Sequence, residues 1–225
     1  MKTYELNAQP RVELGKKATK ALRQANLIPA VLNGGKVVEL KDGKYDGKLG
    51  KGEKVVPIGR DNKAVLTTDL TVSQADVRKL IFSPDVFVVD LNIDGEAKKA
   101  VVKDVQWHKV KDTVLHIDFL EINDQKPVVV EIPVKLEGHA AGVKAGGKLY
   151  LGMKKVKVKG LYPDLPERVI VNVDDVQIGH AIKVSDLKFD KYELVSAKDL
   201  VIAGVRATRG SAAAATEEGE AEEEA

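Results

Sequence analysis

Cysteine is absent from the 225 residues of this chain. That excludes disulfides, thiolate zinc sites, iron–sulfur clusters and a cysteine nucleophile together, and it fits a reducing compartment. Aromatic residues are scarce, at 4%, so any core has to be built from Val, Ile, Leu and Ala. No apolar run approaches the roughly 18–20 residues that span a bilayer. The N-terminus, MKTYELNAQPRVELGKK, lacks the apolar stretch of a signal peptide. The expectation is a soluble, cytoplasmic protein without a membrane partner. What is present is enough apolar material for a core, with 44% hydrophobic residues against 31% charged ones. The length suits one large domain or two small ones. The valine-rich runs have to be buried somewhere, which argues against disorder throughout.

The net charge of +2 conceals an asymmetry. Residues 211–225 carry six Glu and no base, which leaves 36 basic against 28 acidic residues in the rest of the chain. Residues 1–60 alone hold 13 basic and 6 acidic side chains. A localised basic excess is the footprint of a protein that meets phosphate; a lysine-rich solvated surface is the plain alternative.

Along the chain, Thr3–Leu6 reads as a strand. Ala18, Ala21, Leu22 and Ala25 recur at helical spacing and predict a helix from about Lys16 to Ala25. Pro29 ends any continuation, and Ile28–Leu32 reads as a strand running into Gly34-Gly35. Residues 34–59 hold seven Gly and six Lys, the composition of a mobile basic loop with scraps of strand. Ala64–Leu70 is a strand. Ser73 and Asp76 predict a capping box for a second helix that turns Ala75, Leu80 and Ile81 to the core. Val86–Ile93, an Asp94-Gly95 turn and Lys99–Trp107 read as a hairpin, with Val114–Ile122 pairing onward. Beyond residue 125, strand runs at Pro127–Leu136, Met153–Leu161, Val169–Val173 and Leu200–Arg206, with Val143–Gly152 as a glycine-rich loop, predict an antiparallel second domain. The expected fold is mainly β with a few short helices: a small N-terminal domain over 1–122, a β-rich domain over 123–206 and a disordered Ala/Glu-rich acidic tail over 207–225.

Enzymatic signatures are missing. The histidines at 108, 116, 139 and 180 show no i,i+4 pair and have no thiolate to join them. The loop GKYDGKLGKGEK lacks a phosphate-loop match, and no Gly-x-Ser-x-Gly elbow occurs. The expectation is no catalytic residue, no metal, no cofactor and no small-molecule substrate. His116 and Asp118, two apart on a strand, share one face. They form either a surface pair that orients an imidazole or a polar reader of RNA. Gln106 either reads a base edge or faces water. Lys16, Lys20 and Arg23 are spaced four and three apart and line one helix face, with Arg11 upstream. Such a row repels itself in isolation, a cost offset if it meets phosphate; a solvated face is the alternative.

Taken together, Arg11, Gly15-Lys16, Leu22-Arg23, Ile28-Pro29-Ala30 and Gly34-Gly35, followed by VKDVQWHKVKDTVLHIDFLEI at 102–122, resemble the 5S-rRNA-binding protein of the bacterial large ribosomal subunit. The second motif holds Asp104-Val105-Gln106, His108 and His116–Phe119. EIPVKLEGHAAGVKAGGKL at 131–149, the DLP at 164–166 and the acidic tail resemble its long, two-domain form, called general stress protein Ctc in some bacteria. The resemblance covers nearly the whole chain. It implies an N-terminal β-barrel that binds the loop E region of 5S rRNA, a mostly β C-terminal domain, neighbouring large-subunit proteins as further partners, a monomer within the ribosome, and no catalysis. It implies RNA contacts from Arg11, Lys16, Lys20 and Arg23 to phosphates, and from Gln106, His116 and Asp118 to bases or sugars. The chain departs from the family pattern at Asn33, where a tyrosine is usual, at Lys20-Ala21, where many members have two arginines, and in the longer, glycine-rich 36–63 segment. A rival reading is a stress-associated binding module that acts on protein partners, its RNA binding weakened by Asn33. Ranked last is an accessory barrel of a tRNA-handling enzyme, for which no nucleotide-binding motif is present.

Overall fold

The computed structural model describes residues 1–40, 45, 47–58, 63–187, 189 and 191–208. The chain divides into two compact units, Met1–Lys126 and Pro127–Ala225.

The first unit is built from β1 (Lys2–Pro10), α1 (Lys16–Gln24), β2 (Leu27–Asn33), β3 (Val37–Glu39), β4 (Glu53–Pro57), β5 (Lys63–Ser73), α2 (Gln74–Ile81), β6 (Phe87–Ile93), β7 (Glu96–Trp107) and β8 (Val114–Glu121). Six strands close into a barrel in the order β1-β6-β7-β8-β2-β5, with β5 returning to β1 through Ala8↔Val72 and Pro10↔Leu70. Two of these pairings, β1–β6 and β2–β8, are parallel. β5 is the spine. Its C-terminal half belongs to the barrel, and its N-terminal half carries β3 on one edge and β4 on the other.

Side-chain alternation explains the closure. Leu6 and Ala8, Ile28, Ala30 and Leu32, Leu70 and Val72, Val89, Leu91 and Ile93, and Ile117 and Phe119 all point into one apolar cluster. Phe119 is the largest of the fully buried side chains. The β6–β7 turn has positive φ at both Asp94 (48°) and Gly95 (96°), as a two-residue hairpin of matching twist requires.

α2 closes one end of the barrel with Val77 and Leu80. This corrects the expected face: Ala75 is exposed and Ile81 only half-buried. The helix leaves directly from β5, so its rotation is set by that strand and by the Tyr4 hydroxyl, which donates to the Asp76 carbonyl at 2.7 Å. Ser73 occupies the N-cap, but its side chain makes no capping hydrogen bond. In α1, Ala21 and Ala25 are likewise exposed, and Ala18, Thr19 and Leu22 make the half-buried face. In the glycine- and lysine-rich segment 34–59, expected as a loop with scraps of strand, β3 and β4 are strands, while residues 41–44, 46 and 59 lie outside the described residues.

The second unit contains β9 (Val128–Glu137), α3 (Ala141–Lys144), β10 (Lys148–Leu151), β11 (Lys155–Gly160), β12 (Val169–Asn172), β13 (Ala181–Lys183), β14 (Glu193–Leu194) and β15 (Val201–Arg206). They form two sheets, β12-β9-β11-β14 and β10-β15-β13. Strand pairing is antiparallel except β9–β12. Val130, Ile132, Val156 and Val158 fill the first sheet's buried face. Ala140, Val173, Val176, Ala203 and Val205 pack the second. The stretch expected to be a glycine-rich loop holds part of α3 and all of β10. Its small residues permit the packing: a Cβ on Gly147 would meet the Gly142 carbonyl oxygen at 2.7 Å. The acidic tail expected to be disordered lies, from residue 209 on, outside the described residues.

Candidate nucleic-acid interface

Of the sequence-derived candidates, Gln106 lies on β7, His116 and Asp118 on β8, Arg11 just beyond β1, and Lys16, Lys20 and Arg23 on α1; β5 and β2 link the β1 end to β8 across the outside of the barrel. Asp69 on β5 is in register with Val31 on β2, Val31 with Asp118 on β8, and Asp118 with Asp104 on β7. Two residues along, on the same face, Gln106 stands directly opposite His116. Ile117 and Phe119 point inward, so Gln106, His116 and Asp118 project outward from a rigid sheet. His116 Nδ1 lies 3.0 Å from Asp118 Oδ1. The pair is close enough for an ion pair when the imidazole is protonated, although its angle is not that of a hydrogen bond.

Arg11 enters the same strip from the end of β1. Its backbone N–H donates to the Asp69 carbonyl at 2.8 Å. Two strand spacings, roughly 10 Å, therefore separate its anchor from Asp118. The Lys54 ammonium sits on the buried Asp69 carboxylate, which leaves that charge compensated. Arg11 Nε and Nη1 are buried with no hydrogen-bond acceptor among the described residues.

α1 runs beside β2. Lys16, Lys20 and Arg23 are all exposed, and no acidic residue stands in the first turn. Cations at a helix N-terminus oppose the macrodipole, so this end concentrates positive potential. Arg23 is more than a free cation. Its Nη2 and Nε donate to the Leu115 carbonyl at 3.0 and 3.3 Å, tying the last turn of α1 to β8 beside His116. This tether is not legible in the sequence, because its acceptor is a backbone group 92 residues away.

Three of the motif residues have structural explanations. His108 Nδ1 accepts the Val110 and Lys111 N–H groups, each at 3.2 Å, and so shapes the β7–β8 turn. Gly34 has φ 90°, and a Cβ on it would lie 2.8 Å from Leu120 Cδ1; one on Gly35 would lie 2.7 Å from the Leu66 carbonyl oxygen. Gly35→Ala is expected to destabilise the unit by about 1–3 kcal/mol through overpacking, read as a lowered midpoint in urea unfolding; an unchanged midpoint would show that the loop yields freely. Among the described residues, no group of three or more His, Asp or Glu side chains is placed to hold a metal, and no helix is long and apolar enough to cross a membrane.

A closed barrel that presents cations and a row of polar side chains on its outer wall has the build of a docking protein. Residues 6–43 and 55–119 match the model of the ribosomal L25p family, and residues 127–209 match that of the C-terminal domain of ribosomal protein TL5. The chain is 45% identical to the large ribosomal subunit protein bL25 of Porphyromonas gingivalis over 216 residues, covering 96% of this chain and 98% of that one. It is 40% identical to bL25 of Phocaeicola vulgatus over 219 residues, 97% and 100% of the two chains. With bL25 of Bacteroides thetaiotaomicron it shares 51% over 148 residues, 64% of this chain and 76% of the relative. The chain belongs to the ribosomal L25p family, in the long form that carries a TL5-type C-terminal domain. It is a structural ribosomal protein and not an enzyme, and its place, with the bacterial ribosome, is the cytoplasm.

Proposed function

We propose that the N-terminal unit binds 5S rRNA at its loop E region and thereby takes the chain into the large ribosomal subunit as a monomer beside other subunit proteins. The observation that carries this reading is the Arg23 tether, because it fixes the basic face of α1 next to His116 and Asp118. Lys16, Lys20 and the remaining Arg23 donors take phosphates, which position the protein. Arg11 joins them by swinging its unpaired guanidinium outward: a buried donor without an acceptor costs about 1–3 kcal/mol, and a phosphate removes that cost. Gln106, His116 and Asp118 meet bases or sugars. The division matches how irregular RNA is read, with backbone contacts giving affinity and polar groups on a rigid scaffold giving selectivity. Asn33, at the end of β2 opposite Leu120, offers a carboxamide donor and acceptor where the family usually has a tyrosine ring.

The test is titration of the full-length protein against a 5S rRNA fragment, with a loop E-mutated fragment as control, across a salt series. Loop-dependent binding supports the reading. Binding indifferent to the loop leaves only a generic basic surface and turns attention to protein partners. Within that assay, His116→Ala is expected to lose about 1 kcal/mol of binding, several-fold in dissociation constant, with the salt slope unaltered because every phosphate keeps its cation. An unchanged dissociation constant would return His116 to a purely structural role.

A further inference from the structure

Phe82 and Trp107 stand out from the surface of the N-terminal unit. They are 62% and 41% exposed, in a chain whose aromatics are too few to waste. Their rings meet edge to face, with centroids 5.5 Å apart and an interplanar angle of 79°. Such a pair covers one face of one ring only, which leaves flat aromatic surface open. The surface is held firmly. Trp107 ends β7 opposite Val114, and the turn beyond it is closed by the His108 N–H, which donates to the Thr113 carbonyl at 2.8 Å. Phe82 caps α2, its N–H donating to the Arg78 carbonyl at 3.1 Å. Beside them a cleft of about 200 Å³ opens between α2 and the turn, lined by Val77 and Val114 with Arg78 and Asp112 at its rim.

Charge decides what such a shelf holds. Around it, α2 and the β7–β8 turn present Arg78, Lys79, Lys109 and Lys111, all exposed, against the carboxylates of Asp76 and Asp112. Flat aromatic surface inside a net cationic ring suits a nucleobase with its phosphates, since every base has a face to stack and a charge beside it. Position agrees. Trp107 follows Gln106 directly, across a register shift, and Val114 precedes the Leu115 whose carbonyl holds Arg23. We propose that the Phe82–Trp107 shelf stacks an unpaired nucleobase of the bound RNA, with Lys109 and Lys111 on the adjoining phosphates. This rests on the RNA-binding reading above and adds an indole and a phenyl ring, which none of the residues named there carries.

Trp107 is the only tryptophan of the chain, so its emission reports on this spot alone. The full-length protein is titrated with a dye-labelled 5S rRNA fragment carrying loop E; anisotropy follows binding while tryptophan emission follows the shelf. Emission is expected to be quenched with the same midpoint as the anisotropy change. Phe82→Ala and Trp107→Ala are each expected to weaken binding about tenfold with an unchanged salt slope. Trp107→Phe, which keeps a ring and guards against misfolding as the cause, is expected to retain most of the affinity. Binding with unaltered emission, or with wild-type affinity in the alanine variants, overturns the shelf and leaves the RNA-binding reading standing. No change in anisotropy overturns both. Emission that shifts only on addition of other large-subunit proteins assigns the shelf to a protein partner and also overturns the proposal.

Discussion

Replacing Lys16, Lys20 and Arg23 with alanine together is expected to flatten the salt dependence of 5S rRNA binding by roughly 2–2.7 in the slope of log K against log salt, at about 0.7–0.9 for each phosphate that no longer meets a cation. Extrapolated to 0.15 M salt, the same counterion effect corresponds to about a hundredfold fall in affinity. The three side chains do not contribute alike. Lys16 and Lys20 project from a helix that is only nine residues long, too short to be stable by itself. Arg23 pins that helix to the Leu115 carbonyl. The double variant Lys16→Ala/Lys20→Ala therefore keeps α1 in place and should flatten the slope by roughly 1.4–1.8. Arg23→Ala removes the third cation and also releases the last turn, so its affinity loss should exceed what its share of the slope accounts for. Equal slopes for wild type and triple variant would remove α1 from the interface.

Phe119→Ala is expected to destabilise the N-terminal unit by about 3–5 kcal/mol. Phe119 is wholly buried and the largest side chain of the barrel's core, among neighbours that are nearly all aliphatic. A chain with so few aromatics has little else to fill that volume, and a closed barrel cannot collapse onto the cavity without breaking strand pairing. For a unit of this size the loss corresponds to a midpoint lowered by roughly 10–20 °C. The emission of Trp107 reads the unfolding of this unit without contribution from the other, since no second tryptophan exists. Phe119→Leu should cost less than about 1.5 kcal/mol if the cavity is the cause. Similar losses for the two variants would point to the ring's shape rather than its volume.

How much of this is legible in the sequence follows from what kind of interaction each feature rests on. Alternation places the barrel strands, because Leu6, Leu70, Leu91 and Phe119 obey a period of two that needs no tertiary knowledge. Asp94-Gly95 declares its turn through the backbone conformations that those residues tolerate. The phase of α2 is misleading: Ala75 and Ile81 look apolar enough for a core, but the helix is aimed by the strand it leaves, and Val77 goes in instead. α3 and β10 leave little mark in the sequence because they are short and lie among close approaches of Gly142 and Gly147, and β13 and β14 because they are only three and two residues long. For the candidate interface, spacing names the cations and the polar row. It does not show their adjacency, which depends on Arg23 reaching a main-chain carbonyl and on a parallel strand pair. The exposed Phe82–Trp107 pair joins residues 25 apart with no periodic relation, so no pattern in the sequence marks it.

The parallel pairing of β2 with β8, which sets Ala30 beside Ile117 and Val31 beside Asp118, has a consequence in time. Contacts between segments so far apart along the chain form late, because the ends of a long loop must be brought together first. During synthesis, α1 leaves the ribosome 92 residues before the Leu115 carbonyl that will hold it. Until β8 has emerged and paired, the basic helix has no tether and the row of Gln106, His116 and Asp118 does not exist. The growing chain therefore carries positive charge early but the shaped surface only at the end, once the whole N-terminal unit has been made.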